Sequence, residues 1–143
     1  EALLFAAALS DHFERTIRPA LGSGTWVISA RFVDSTRAYQ GGADGIDDAA
    51  ILALHAFGSK GLLPDRTFVL DLNHEEGERR ATVRDGASAD RFARRDPAFH
   101  LAVAESFRAI ATQEPMRVRL IDASQPIATV AEAIVAELAD LLS

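Results

Sequence analysis

Three short apolar runs alternate with longer segments whose apolar residues recur at helical spacing. The runs lie at residues 26–28, 65–72 and 118–122. The first is β-branched and continuous rather than alternating, which is typical of a strand buried on both faces, and the second also predicts a buried strand. Because strands that alternate with helices form parallel sheets, the sequence predicts an α/β fold in which a parallel sheet is flanked by helices.

The segments between these runs predict helices. Apolar residues at steps of three and four indicate helices at residues 1–21, 46–57, 96–113 and 130–141. A further helix follows Asn73, whose side chain is suited to capping, with Glu75 and Glu76 in its first turn. That helix runs into an arginine-rich stretch, in which residues 85–88 predict a mobile flap.

The size and charge of the chain narrow its class. It has 143 residues, which predicts a single domain over residues 1–143. It has no cysteine and a formal net charge of −6, so disulfides are excluded and no nucleic-acid partner is expected. No apolar run reaches the ~18 residues of a membrane-spanning helix, and no basic leader precedes the apolar start. We expect a soluble, cytoplasmic protein without a membrane partner.

Basic charge is concentrated in one segment of this acidic chain. Six arginines lie there, namely Arg79, Arg80, Arg84, Arg91, Arg94 and Arg95. A guanidinium fork matches the oxygens of phosphate or carboxylate, so the cluster is suited to a small polyanion. A solvated helix face with internal ion pairs is an equally good explanation of the same pattern.

Polar residues follow all three predicted strands, where ligands of parallel sheets bind. Asp71 ends the second strand and Asp122 the third. The first continues into residues 30–42, ARFVDSTRAYQGG, which predict a polar loop with two arginines, Tyr39 and Gln40.

Five segments, in order, resemble bacterial thymidylate kinases. They are LLFAAALSDHFERTIRPAL, WVISARFVDSTRAYQGG, GLLPDRTFVLDL, ADRF and LIDASQP. The resemblance implies the fold of the P-loop nucleoside monophosphate kinases. It also implies transfer of the terminal phosphoryl group of ATP to dTMP, which gives dTDP and ADP, with Mg²⁺ and ATP as cofactors and a homodimeric assembly. Such catalysis depends on positioning and on neutralising phosphate charge.

The resemblance assigns the acceptor site to residues near the first strand. Arg31 matches the arginine that grips the acceptor phosphate. Thr36 matches a residue facing thymine, and Phe5 an aromatic ring stacked on that base. Tyr39 and Gln40 match the residues that hold the deoxyribose, where Tyr39 would also crowd a ribose 2′-hydroxyl.

Each of these residues also has a structural explanation. Arg31 could pair with Asp34 or Asp71 instead of a phosphate. Phe5 and Tyr39 could be core residues, because burial is the commonest use of aromatic side chains. Thr36 could simply form a turn or cap a helix.

The resemblance assigns the ATP site to the second half of the chain. Arg80, Arg84 and Arg91 match the lid that closes over the ATP phosphates, where we expect them to take part in catalysis. Asp122, Ala123, Ser124 and Gln125 match the loop that wraps adenine through backbone contacts, although Asp122 and Ser124 would equally begin a helix. The four histidines have no metal-ligand spacing, and no metal ligand is assigned.

Four departures from the family pattern bear on activity. No G-x-x-x-x-G-K-[ST] motif occurs in the sequence, so we expect the family's first strand and phosphate loop to lie outside these residues. Ala30 replaces an aspartate, Leu9 an arginine that reaches the base, and Ala93 an acid of the lid. The alternative to an active kinase is a catalytically inactive relative that binds nucleotides or other proteins. Leu9 alone also supports a kinase for another small phosphate acceptor.

Overall fold

The chain forms two compact units, Glu1–Pro64 and Asp65–Ser143. The computed structural model describes residues 2–85 and 96–142, with the backbone alone at residues 74, 78, 81, 82, 84 and 85. The single domain expected over residues 1–143 stays a prediction.

The first unit begins with one continuous helical segment. It consists of α1 (Ala2–His12), a π-helical turn π1 (Phe13–Ile17) and α2 (Arg18–Gly22). Phe13 and Ile17, four residues apart, are both buried, which puts them on one helix face. The segment ends at the predicted glycines, because Gly24 adopts a φ of 75° that a helix cannot continue. The helix predicted over residues 1–21 is confirmed.

The polar stretch at residues 30–42 is irregular only at residues 30–32 and helical from residue 33 onwards, so the predicted loop is wrong for most of its length. It contains α3 (Val33–Thr36) and a second π-helical segment, π2 (Arg37–Ala43). The stretch folds in this way because Val33 and Ala38 bury their side chains completely, at 1% and 0% exposure. These positions give the segment an apolar face among its polar residues, a pattern that its many polar letters conceal.

The helix α4 (Asp48–Gly58) closes the first unit and confirms the prediction at residues 46–57. The Asp47 carboxylate caps it by accepting a hydrogen bond from the Ala50 N–H at 3.2 Å. At its other end, α4 packs closely on α1, where Ser10 Oγ donates to the Gly58 carbonyl at 2.7 Å. A Cβ at position 58 would lie 3.3 Å from the Ala6 carbonyl oxygen, so glycine allows the two helices to approach.

The strand predicted at residues 26–28 is absent, and that prediction is wrong. The segment is extended but forms no ladder with any described residue. Its apolar side chains are exposed, Trp26 at 57% and Ile28 at 95%. A strand exists only where a neighbour accepts its backbone hydrogen bonds, and the described part of the chain supplies no such neighbour.

The second unit contains a parallel pair of strands, as predicted. The strands β1 (Thr67–Asp71) and β2 (Val118–Asp122) run in register, with Thr67 opposite Val118 and Asp71 opposite Asp122. Buried Val118, Ile110 and Ala111 form a core against which Val69 packs. The predicted burial of β1 is wrong, because none of its residues is fully buried and Leu70 remains 56% exposed.

Three helices accompany these strands and confirm the α/β architecture. They are α5 (His74–Asp85), α6 (Pro97–Gln113) and α7 (Ile127–Ala136). Asn73 caps α5 as predicted, since its Oδ1 accepts from the Glu76 N–H at 2.9 Å. The flap predicted at residues 85–88 lies, apart from the backbone of Asp85, outside the described residues. No helix in the described ranges is long and apolar enough to cross a membrane.

Candidate functional site

Arg31 contacts Tyr39 and adopts an unusual backbone conformation. Its Nη2 donates to the Tyr39 hydroxyl at 3.1 Å, and its guanidinium carbon lies 4.8 Å from the centroid of the tyrosine ring. The residue is exposed and has a φ of 78°, which is costly for a residue with a Cβ. Arg31 and Tyr39, which the resemblance assigned to one acceptor site, are therefore in contact.

The two carboxylates that could have neutralised Arg31 have other partners. Asp34 contacts Arg37, with Nη1 to Oδ1 at 3.3 Å, and Asp71 accepts two hydrogen bonds from Arg108 at 2.8 and 3.0 Å. Among the side chains that the structure describes, no carboxylate pairs with Arg31. Its guanidinium is thus an exposed cation that an anion could reach.

Arg37, which the sequence did not single out, is a buried clamp. Its side chain is 4% exposed, and its Nε and Nη2 donate to both carboxylate oxygens of Asp48 at 2.8 and 2.9 Å. Its contact with Asp34 lies in the first turn of the same helical stretch. Acidic and basic residues three positions apart commonly pair on exposed helix surfaces. The spacing of Asp34 and Arg37 therefore did not reveal that this pair is buried.

Gln40 lies inside the first unit. It is 3% exposed, and its backbone carbonyl accepts from the Ile46 N–H at 2.9 Å. The next residue, Gly41, passes so close to α4 that a Cβ there would lie 3.1 Å from Ile51 Cδ1. Tyr39 is half-buried, so it combines packing with an accessible hydroxyl.

An apolar pocket, open to solvent, lies among α1, α3 and α4, and its cavity volume of about 10 Å³ is enough for roughly one water molecule. Its walls include Leu9, Thr36 and His55, with alanine, valine, isoleucine and leucine side chains around them. The structure therefore brings together Thr36 and Leu9, the two positions that the family pattern places near the base. Phe5 does not line this cavity and is 40% exposed, so it is not a core residue.

His55 is the second buried polar residue that the sequence did not assign to the site. It is 5% exposed, its Nε2 lies 2.5 Å from the Leu62 carbonyl, and its ring meets the Phe32 ring edge-on at 5.2 Å. These contacts hold the segment after α4 and position one cavity wall. They fit the helix-packing role that is typical of an isolated histidine.

In the second unit, residues 122–125 form a turn organised by one carboxylate. Asp122 Oδ1 accepts from the Ser124 N–H at 2.9 Å and the Ser124 hydroxyl at 2.6 Å, while Oδ2 accepts from Gln125 Nε2 at 2.9 Å. The hydrogen bonds from Ser124, and then that from Gln125, lower the pKa of Asp122. The turn that was expected to contact adenine is thus held by its own side chains.

Arg80 meets this turn directly. Its Nη1 donates to the Ala123 carbonyl at 2.9 Å, and its Nε donates to Glu76 Oε1 at 2.7 Å. Arg79 also donates to Glu76, at 2.6 and 2.7 Å. Hydrogen bonds from Arg79 and Arg80 lower the pKa of Glu76 to about 2. The internal ion pairs considered for this cluster are therefore present at both arginines.

The other two lid arginines cannot be compared with the structure. The side chain of Arg84 and the whole of Arg91 lie outside the described residues.

The residues present do not fit a magnesium site. No group of three histidine, aspartate or glutamate side chains in the described ranges could hold a metal ion. Asp71, at the end of β1, is engaged by Arg108, whose pKa is raised by that hydrogen-bonded carboxylate. Asp122, at the end of β2, is committed to its turn.

The architecture is that of the P-loop nucleoside monophosphate kinases. The chain superposes on the crystal structure of thymidylate kinase from Ehrlichia chaffeensis with a TM-score of 0.71 and 30% sequence identity, covering 96% of this chain and 62% of that one.

Within this class, the sequence matches one particular family. The family model for thymidylate kinase matches residues 1–134, and the chain therefore belongs to the thymidylate kinase family. It is 54% identical over 142 residues to the thymidylate kinase of Rhizorhabdus wittichii and 44% identical over 143 residues to that of Chromohalobacter salexigens. It covers 68% and 67% of those two proteins, so it spans about two thirds of the length of its curated relatives.

Proposed function

We propose that this chain takes part in phosphoryl transfer from ATP to dTMP, which gives dTDP and ADP. The observation that carries the proposal is Arg31, an exposed guanidinium held in a left-handed backbone conformation against Tyr39. A strained residue persists where its surroundings hold it, and such residues cluster at binding and catalytic sites. An arginine without a carboxylate partner is suited to the acceptor phosphate.

The remaining acceptor roles follow from the same unit. Tyr39 supports the Arg31 guanidinium through its hydroxyl and ring, and its exposed edge limits the space beside the deoxyribose. Thr36 lies in the wall of the apolar pocket and is proposed to face the thymine ring, for which this pocket of about 10 Å³ would have to widen. Gln40 contributes through the segment that it anchors, and Phe5 has an exposed face available for stacking on the base.

The donor roles belong to the second unit. The turn at residues 122–125 is proposed to contact adenine, and Arg80, Arg84 and Arg91 to contact the ATP phosphates. Arg80 supports the assignment of the turn to adenine, because its hydrogen bond to the Ala123 carbonyl connects α5 with that turn. Mg²⁺ would accompany ATP, although the described residues offer it no ligand set of their own.

Assembly and location are proposed from the same family membership. We propose a cytoplasmic homodimer that forms through apolar helix faces. The exposure of Leu3 and Leu4 on α1, at 70% and 76%, supports a surface of this kind.

A coupled ADP-release assay on the full chain, with ATP, Mg²⁺ and dTMP, tests the reaction. We expect turnover with dTMP, and we expect Arg31→Ala to lower kcat/KM for dTMP between about tenfold and about 100-fold, because a charge-assisted hydrogen bond to phosphate is lost. Arg15→Ala is the control, since Arg15 is 79% exposed and pairs with Asp11 on α1. A folded chain without turnover, or an unchanged rate in Arg31→Ala, would contradict the assignment.

Calorimetric titration separates the kinase from the catalytically inactive relative. The 54% identity over nearly the whole chain favours the kinase, for which dTMP should release heat at millimolar concentration. Comparing dTMP with dUMP and dGMP in the same titration addresses Leu9, which replaces a charged group near the base with an apolar one. Equal heats for all three nucleotides would show that this cavity does not select thymine.

A further inference from the structure

Arg37 and Asp48 close the base of the segment that carries Tyr39 and Gln40. The two residues are eleven positions apart in the sequence and are joined by two hydrogen bonds of 2.8 and 2.9 Å. The segment between them contains π2 and the turn that leads to α4. Both side chains expected to hold the deoxyribose therefore lie on a segment whose two ends are fixed to each other.

The clamp is rigid because it is buried and planar. The Arg37 side chain is 4% exposed, and its guanidinium contacts carboxylates from two different helices, Asp34 of α3 and Asp48 of α4. A bidentate pair fixes direction as well as distance, and Arg37 and Asp34 are shielded from water, whereas the Asp48 side chain remains 49% exposed. The carboxylate of Asp48 is also favoured by its place in the first turn of α4.

Backbone contacts transmit this rigidity to the site. Within the closed segment, the Asp44 N–H donates to the Tyr39 carbonyl at 3.1 Å, and the Ile46 N–H donates to the Gln40 carbonyl at 2.9 Å. Tyr39 in turn contacts the Arg31 guanidinium. A shift at Arg37 would therefore move the hydroxyl against which Arg31 is held.

We propose that Arg37 is a positioning residue for the acceptor nucleotide, acting through its clamp on Asp48 and Asp34. It touches neither nucleotide, and its effect on the reaction is to hold Tyr39, and through Tyr39 Arg31, in the orientation that binds the acceptor. The proposal rests on the proposed kinase function.

The second unit provides a matched control. Arg66 has a 5% exposed side chain and donates from Nη2 to both oxygens of Asp140 at 2.6 and 2.8 Å. It is thus a buried arginine with a single carboxylate engaged twice, as Arg37 is with Asp48. A purely structural role predicts that Arg37→Met and Arg66→Met act alike on the kinetics.

The experiment compares kinetics of the full chain for the natural sequence and four variants, at a temperature where each is folded. Arg37→Met should raise KM for dTMP between about tenfold and about 100-fold, while KM for ATP stays unchanged. Arg37→Lys keeps the positive charge but not the forked guanidinium, so its KM for dTMP should lie between those of the natural sequence and of Arg37→Met. Asp48→Asn should raise KM for dTMP in the same direction, and Arg66→Met should leave it unchanged.

Failure of this proposal is distinguishable from failure of the kinase assignment. If the natural sequence shows no calorimetric heat with dTMP, the assigned reaction fails and Arg37 has nothing to position. If it binds dTMP and neither Arg37→Lys nor Asp48→Asn weakens that binding, only the positioning role is overturned. Equal increases of KM for dTMP and ATP in both Arg37 variants would also overturn it, because such a change is a general loss of structure. Should Arg37→Met not fold, the lysine and Asp48→Asn variants decide the question.

Discussion

Arg31 and Arg37 lie six residues apart in the same polar stretch but have opposite roles. Arg37 is 4% exposed and binds two carboxylates, whereas Arg31 is exposed, has a strained backbone and contacts a tyrosine. The first satisfies its charge within the fold, and the second leaves its charge available to a ligand. The comparison shows that the surroundings of an arginine, rather than its place in a motif, decide whether it stabilises or binds.

The two arrangements also differ in what they cost in free energy. A buried cation is stable only while its partners remain, because Arg37 or Asp34 left alone would be a buried charge without compensation. An exposed cation in a left-handed conformation has a local backbone cost that the rest of the fold must offset. Substitutions at the two positions should therefore separate stability from binding.

The largest effect is expected on stability at position 37. Arg37→Met should lower the free energy of unfolding by about 3 kcal/mol or more, since it leaves the buried carboxylate of Asp34 without its arginine. Arg31→Met should change it by less than about 1 kcal/mol, because the side chain is exposed. Urea denaturation followed by circular dichroism measures both. Equal losses at the two positions would remove the distinction between them.

A smaller effect on stability is expected at position 31, where the backbone conformation favours glycine over alanine. Arg31→Gly should be more stable than Arg31→Ala by about 1 kcal/mol, because glycine adopts a φ near 78° without a Cβ penalty. Both variants should lose binding of dTMP alike, since neither has a guanidinium. Thermal melting and calorimetry on the same samples measure the two properties. If alanine proves as stable as glycine, the backbone at this position is not strained.

The smallest expected effect is on the titration of Glu76, the carboxylate to which Arg80 donates a hydrogen bond. The pKa of Glu76 is lowered from 4.5 to about 2 by its hydrogen bonds from Arg79 and Arg80. A lowered carboxyl pKa stabilises the fold fully above pH 4.5, and this contribution is lost as the pH falls towards 2. NMR titration of the Glu76 carboxyl should show this low midpoint, and Arg80→Met should raise it. A midpoint near 4.5 in the natural sequence would contradict the ion pairs.

The sequence predicted those parts of the fold that depend on local order. Helix α6 follows from its apolar spacing and its start at Asp96, whose side chain accepts from the Ala98 N–H. Parallel pairing of β1 and β2 followed from the long helical segments between them. These features need no knowledge of distant residues.

The features that failed depend on partners elsewhere in the chain. Residues 26–28 have the composition of a strand, yet a strand also needs a neighbour with free backbone groups. Residues 30–42 have the polarity of a loop, yet two buried apolar positions, Val33 and Ala38, make the stretch helical. Local composition cannot decide either case.

The site shows the same division. The motif brought Arg31 and Tyr39 into one prediction, and the structure places them in contact. It could not indicate that Arg37 is buried, because that depends on Asp48, which lies on the next helix. Nor could it show that Arg80 reaches the Ala123 carbonyl, 43 residues further along the chain.

Gly58 has a consequence for how closely two helices of the first unit can pack. A side chain at this position would have its Cβ 3.3 Å from the Ala6 carbonyl oxygen, which belongs to the α1 backbone and cannot rotate away as a side chain would. Because residues of both α1 and α4 line the pocket that contains Leu9 and Thr36, replacing this glycine should change the width of that pocket.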